Sequence, residues 1–315
     1  MDRSTEIRLI KEILDLHEKG ETQYAPASSG ATTDLYTSEE IYRREMSHIF
    51  KANPNAVAIT SQLPEPGSYI AREWVDNFPL LLVRDHNGDI RAFANICRHR
   101  NSRLVDPGAG CRKRFTCPYH AWTYATDGRL VAAPQFDAGF PDRQMEEFGL
   151  IELSVAVVYG LIFVHPDPAQ SIADDFLPVE MRSMLEWLDL ESHRVYDVHD
   201  QNWKSNWKII YEGGIEAYHF NVAHKDTIAP YFLGNLSTWE GWGQYSRFIL
   251  PKKSVLDFRD QPEEKWDIRQ CSNILVSLYP TLTFLVQPDH ISGIMTTPLA
   301  PGLTRVEEIT YAPNP

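Results

Sequence analysis

Two short runs in the first half of the chain bring metal-binding side chains together at close, paired spacing: Cys97-x-His99 and Cys117-x-x-His120. Residues 100–116 separate them. Thiolate and neutral imidazole are both ligands for transition metals, and each pair sits just after a predicted strand, where a tight loop aims two ligands at one metal. Two Cys and two His also make a familiar structural zinc set. The zinc-finger order, however, puts both Cys first and both His last, whereas here each run contributes one of each. That arrangement suits an asymmetric two-iron cluster, with one iron on two thiolates and the other on two imidazoles.

A second group lies in "NWKIIYEGGIEAYHFNVAH", residues 206–224. Read as one helix, it places Glu212, Glu216 and His219 at i, i+4 and i+7 on a single face. His224 lies about 140° round from His219, so the two meet at one metal only where the helix loosens or ends. Gly213 and Gly214, each costing about 1 kcal/mol in a helix interior, point to distorted or closely packed backbone there. Two other readings stand beside the metal one. Histidines flanked by aromatics on an amphipathic helix are often core residues, and Glu216-x-x-His219 with Glu45-x-x-His48 matches the E-x-x-H pairs of di-iron bundles.

The elements that must hold these groups follow from pattern. Ile7, Ile10, Ile13, Leu14 and His17 recur at helical spacing up to Gly20, and a Ser-, Ala- and Thr-rich loop follows. "TSEEIYRREMSHIF" opens with a capping box, Thr37 with Glu40, and predicts a second helix. From Asn55 to Val164 the texture changes to short strands, with hairpins about Asn87-Gly88 and Asp127-Gly128. "HPDPAQSIADDFLP" reads as a linker and "PVEMRSMLEWLDL" as a helix. The remainder mixes strands ("RVYDVHD", "NILVSLYPTLTFLVQ", "RVEEITYA") with the 206–224 segment. The predicted domains are N-terminal helices over 1–50, a β domain over 51–165 and a second domain over 166–315.

Composition narrows the function. A net charge of -13 argues against nucleic acid as a partner. The longest uncharged apolar run, residues 153–164, falls short of the roughly 20 residues that cross a bilayer, so no membrane partner is expected. The first twenty residues carry acids throughout and no apolar core, unlike a signal peptide, and four Cys do not make a secreted disulfide framework. A reducing cytoplasm is the expectation. Cys111 and Cys271 lie outside the paired pattern and read as small buried or incidental thiols.

The two groups together, C-x-H then C-x-x-H, with N-W-K, an acid and Y-H-x-x-x-x-H following, resemble the catalytic α subunit of Rieske non-haem iron oxygenases. The resemblance implies an α+β fold: an antiparallel β Rieske domain and a helix-grip (START-like) antiparallel-sheet catalytic domain. It implies a [2Fe-2S] cluster on Cys97, His99, Cys117 and His120, and an Fe(II) on His219 and His224. Glu216 becomes the carboxylate that bridges toward a cluster His of a neighbouring subunit, where many members carry Asp. Many members also have Asn where this chain has Gly213. The third iron ligand is normally an Asp on a helix after the last strands; it is expected beyond Pro315, with Asp289 in "QPDH" the nearest candidate in the sequence. The implied activity is O2-dependent hydroxylation, dioxygenation or oxidative demethylation of a small organic substrate. Implied partners are a ferredoxin or flavin-containing reductase as electron donor and two further copies in a homotrimer. The alternative is an electron-transfer protein with an incomplete iron site. Pocket candidates are Tyr211, Phe220, Phe232, Trp239, Trp242 and Phe284. The basic run of Arg98, Arg100, Arg103, Arg112, Lys113 and Arg114 reads either as a solvated loop or as a docking face for an acidic donor.

Overall fold

The computed structural model describes residues 1–24, 27 and 29–313. The Ser-, Ala- and Thr-rich loop and the chain end at Pro315 fall partly outside them. By internal contacts the chain divides into two units, Arg43–Phe176 and Met1–Tyr42 with Leu177–Pro315. The expected boundaries differ at the N-terminus, because segment 1–50 is shared between the units. The reason is packing: the helix Arg3–Lys19 buries Leu9, Ile10 and Ile13 as part of the second unit. Its ends obey the sequence. Asp2 accepts the Thr5 N–H at 2.7 Å, and Gly20 closes the helix in the left-handed region.

The sheets of the 43–176 unit are all antiparallel. A five-stranded sheet runs Gly108–Cys111, Ser68–Glu73, Pro79–Arg84, Ile90–Ala94, Glu152–Leu153 in spatial order. A three-stranded sheet comprises Arg114–Thr116, Thr123–Ala125 and Leu130–Ala132, and another pairs Leu161–Val164 with Asn55–Ile59 and Val155–Val158. Both expected hairpins form. At the first, Asp85 accepts the N–H groups of Asn87 (2.8 Å) and Asp89 (3.0 Å), and Gly88 takes the positive φ the turn requires. Between the sheets lies a core of Tyr69, Leu81, Phe93, Phe115, Trp122 and Tyr124 that includes Cys97 and Cys117.

The other unit is built on a seven-stranded antiparallel sheet, from His193–Trp203 at one edge through Leu303–Pro313, Ile291–Ala300, Leu282–Val286, Ser272–Leu278 and Tyr245–Pro251 to Thr238–Trp242. The expected helix forms over Val179–Leu188 and buries Met181, Met184, Leu185 and Leu188. The 206–224 segment departs from expectation: it is not one helix. Trp207–Gly214 is helical, Ile215 ends it at φ -109°, and a short turn over Phe220–Ala223 follows. The second predicted helix is likewise in pieces, Asp34–Thr37, Glu39–Glu45 and a wider turn Met46–Phe50. Its cap is Ser38, whose Oγ accepts the Ile41 N–H at 3.3 Å, while the Thr37 hydroxyl turns back to the Thr33 carbonyl. Among the described residues no helix is long and apolar enough to cross a membrane.

Candidate metal centres

The two Cys–His loops are built on one plan. Cys97 N–H donates to the Ser102 carbonyl and Cys117 N–H to the Trp122 carbonyl, both at 2.8 Å. Asn101 N–H returns to the Cys97 carbonyl at 2.9 Å, and Ala121 N–H to the Cys117 carbonyl at 3.0 Å. Asn101 and Ala121, each four residues past its Cys, hold φ of 55° and 56°. A non-glycine residue in the left-handed region carries a strain of order 1 kcal/mol, kept here at equivalent places in both loops. Each loop thus folds its backbone around its sulfur. Asn95 fastens the first loop at its base, donating to the Val105 carbonyl at 2.7 Å and accepting the Val105 N–H at 3.0 Å.

The loops meet with sulfurs inward and imidazoles outward. Cys97 and Cys117 are 1% and 2% exposed, whereas His120 is exposed and His99 half-buried. The imidazole rings of His99 and His120 lie 4.6 Å apart. Trp122 stacks on His99 at 4.7 Å and 9°, and Phe136, Phe140 and Phe148 pack around Trp122 at 5.3–5.8 Å. Tyr124 Oη sits 3.3 Å from Cys97 Sγ and accepts the Arg98 N–H at 3.0 Å.

The electrostatics of these groups fit a bound cluster. Burial pushes the Cys97 thiol up, and the Tyr124 hydroxyl and the His99 N–H pull it back only in part. Burial, then His120 and Arg100, lowers the His99 imidazole, which keeps it neutral and able to ligate. His99 Nδ1 is buried without a hydrogen-bond partner. Both thiols are free rather than joined in a disulfide. A buried pair of thiols and an orphaned imidazole nitrogen want a cation. Among the described residues no three His, Cys, Asp or Glu converge as the ligands of a single ion do. A two-iron cluster has no such need, because its ligands act in pairs.

The second group lies at the two ends of one helical turn. His219 precedes the turn Phe220–Ala223 and His224 follows it, where the helical backbone stops. Their rings lie 5.1 Å apart. Glu216 folds back on this turn: Oε2 accepts the Tyr218 N–H at 2.6 Å and the His219 N–H at 3.3 Å, and Oε1 bonds His219 Nδ1. That bond leaves His219 Nε2 as the free ligand nitrogen. Glu212 is not on this face; it accepts the Tyr36 hydroxyl at 3.0 Å. Gly213 and Gly214 are exposed with open space where a Cβ would stand, so they end the helix and answer no close packing. The two imidazoles fit two positions on a mononuclear iron. Among the described residues no third His, Cys, Asp or Glu joins them.

The remaining candidates divide. Phe220 lies 5.0 Å from His219 and 5.9 Å from Phe232, and both belong to an apolar cluster with Ala217, Phe248, Leu250 and Leu275. Tyr211 instead accepts the Ser277 hydroxyl at 2.7 Å, and Phe284 packs on Tyr311 within the sheet. Trp239 is half exposed, and Trp242 lies under Arg247. Asp289 bonds its neighbour His290 at 2.8 Å and forms no group with His219 and His224. Glu45 is buried and His48 exposed, and His48 Nδ1 is bonded to Ser47 and to the Arg44 carbonyl. Cys271 is buried, its thiol pushed up to about 12 by burial, but Cys111 is exposed on an edge strand. Of the basic run, Arg103 pairs with Glu73, and Arg98, Lys113 and Arg114 face solvent; Arg112 and Arg100 lie over the Tyr69 and Tyr119 rings at 5.3 and 5.9 Å. Trp122, Tyr124, Asn95 and the Phe136–Phe148 cluster were not singled out from sequence. The only signal for the first two was their place just behind "CPYH".

Comparison with known proteins agrees with this geometry. Residues 53–153 match the Rieske [2Fe-2S] domain family, and residues 184–314 match the ring hydroxylating alpha subunit (catalytic domain) family. The glycine betaine monooxygenase oxygenase subunit of Pseudomonas aeruginosa is 32% identical over 207 residues, covering 65% of this chain and 46% of that protein. The biphenyl 2,3-dioxygenase subunit alpha of Rhodococcus jostii is 32% identical over 183 residues, 56% of this chain and 39% of its own. The chain thus spans about half the length of the curated relatives it matches. Among solved structures, the quaternary ammonium Rieske monooxygenase CntA superposes with a TM-score of 0.78 at 24% identity, over 90% of this chain and 75% of that one. Naphthalene 1,2-dioxygenase from Rhodococcus sp. gives 0.75 at 19%, over 97% and 76%. At those identities the superpositions speak for the fold.

Proposed function

Since the chain belongs to the Rieske non-haem iron oxygenase α-subunit family, we propose that it oxidises a small organic substrate with O2 at an Fe(II) held by His219 and His224. Cys97, His99, Cys117 and His120 would hold the cluster that supplies electrons to that iron. When bound, the two groups supply a one-electron store and a centre with open positions for O2. The chain's own residues do the rest. The paired loops hold the sulfurs dry and present the imidazoles outward. Glu216 fixes the ring of His219 through Nδ1, and Phe220 and Phe232 exclude water beside it. The observation that carries this reading is the approach of the His219 and His224 rings to 5.1 Å at the two ends of one helical turn.

Substrate and partners follow as part of the proposal. Aromatic walls suit an aromatic ring by stacking and a quaternary ammonium by cation–π attraction. The relatives named above include both a glycine betaine monooxygenase and a biphenyl dioxygenase. The exposed charges of Arg98, Lys113 and Arg114 suit an acidic ferredoxin or reductase domain. A homotrimer, in which Glu216 also meets a cluster imidazole of the neighbouring subunit, is the expected assembly. A reducing cytoplasm suits the four free cysteines.

The test is turnover by iron-replete protein with a reductase system, offering glycine betaine, carnitine and biphenyl, with product measured against O2 consumed. Coupled product from one class identifies the substrate. A second reading is an electron carrier whose iron site stays empty. Metal analysis separates the two, because the oxygenase holds one iron per chain beyond those of the cluster. A colourless protein containing zinc would sink both.

A further inference from the structure

The helix that leads into His219 is weakly held by apolar packing. Of residues 207–214 only Trp207 is buried, and the two terminal glycines are exposed. An eight-residue helix does not sustain itself in water, so its direction depends on what ties it down. Three chain segments meet at Asn206, which is 4% exposed. Its Oδ1 accepts the Lys208 N–H at 2.9 Å as the helix cap. Its Nδ2 donates to the Tyr36 carbonyl at 3.0 Å and to the Pro301 carbonyl at 2.7 Å. Both amide donors are therefore used across segments distant in sequence.

The same segments are joined again around this point. Thr304 Oγ1 donates to the Ser205 carbonyl at 2.9 Å, and Tyr42 Oη to the Pro298 carbonyl at 3.3 Å. Tyr36 donates its hydroxyl to Glu212, more than one turn along the helix, and its ring lies 5.6 Å from the Lys208 ammonium. Segment 34–37 thus grips the helix near both ends, by a backbone carbonyl at Asn206 and a phenol at Glu212.

We propose that Asn206 and Tyr36 are positioning residues, a clamp that sets the direction in which the helix delivers Glu216, His219 and His224. Its consequence for catalysis rests on the reading of His219 and His224 as iron ligands; the clamp itself concerns only the chain. Neither residue touches the candidate ligands. The Asn206→Ser variant keeps an oxygen for the helix cap and removes both cross-segment donors, and Tyr36→Phe removes only the hydroxyl. Amide hydrogen exchange in the full chain reads the effect directly. Exchange over residues 218–224 should rise about tenfold in Asn206→Ser and about threefold in Tyr36→Phe, with loops 97–102 and 117–122 unchanged. The d–d absorption of Co(II), used as a surrogate for Fe(II), should shift in the same variants. Wild-type exchange over 218–224, or a rise shared equally by the whole chain, overturns the clamp. A wild-type Co(II) spectrum that does not respond to His219→Ala overturns the iron reading instead, and the exchange result still decides the clamp.

Discussion

The cluster loops and the 216–224 turn, the two proposed metal sites, present their imidazoles by opposite means. In the loops, two copies of one backbone plan are anchored in an aromatic core, and the sulfurs have almost no contact with water. In the turn, an interrupted helix offers two half-exposed imidazoles steadied by one carboxylate and a few clamps. A site that only stores an electron benefits from rigidity, because little rearrangement then accompanies reduction. A site that must admit O2 and a substrate needs open positions and cannot be walled in.

The sharpest way to test that contrast is to remove one ligand from each site. Cys97→Ser should abolish the visible absorption and the asymmetric iron–sulfur EPR signal altogether and destabilise the 43–176 unit, since metal binding there contributes to folding. His219→Ala should leave that spectrum intact, lower the iron by one per chain and abolish turnover. Equal loss of cluster signal in both variants would break the comparison.

Packing gives the next largest difference. Phe115, with no exposed surface in the loop core, should cost about 3–5 kcal/mol on truncation to alanine. Val222, 80% exposed between His219 and His224, should change stability by less than about 0.5 kcal/mol. Denaturant melts of the two variants measure both. Access to chelator follows the same ranking: dipyridyl should strip iron from the turn while the cluster colour persists, as absorbance over time would show.

The smallest effect separates the units rather than the sites. Burial raises the Glu240 carboxyl, but Arg247 and Arg8 outweigh it and hold the group below its ordinary value of 4.5. A carboxylate depressed in the folded state stabilises fully above its unfolded value and loses that contribution as pH falls through the lower folded one. The Glu240→Gln variant should therefore be less stable than wild type near neutrality, and the gap should narrow as pH falls below 4.5. Thermal melts of both proteins across that range check the sign.

Much of this was legible in one dimension because the physics behind it is local. Ligand spacing in Cys97-x-His99 and Cys117-x-x-His120 is set within each loop, and the turns at Gly88 and Gly128 and the helix end at Gly20 depend on the backbone of single residues. Those features pointed to a metal centre and located the hairpins and the first helix from the sequence alone. What the tertiary structure decided depends on contacts distant along the chain. The segment 206–224 breaks at Ile215 and resumes as the turn Phe220–Ala223, which periodicity does not record. The stacking of Trp122 on His99 and the meeting of Tyr36, Asn206 and Pro301 arise only when separate strands and segments are folded together.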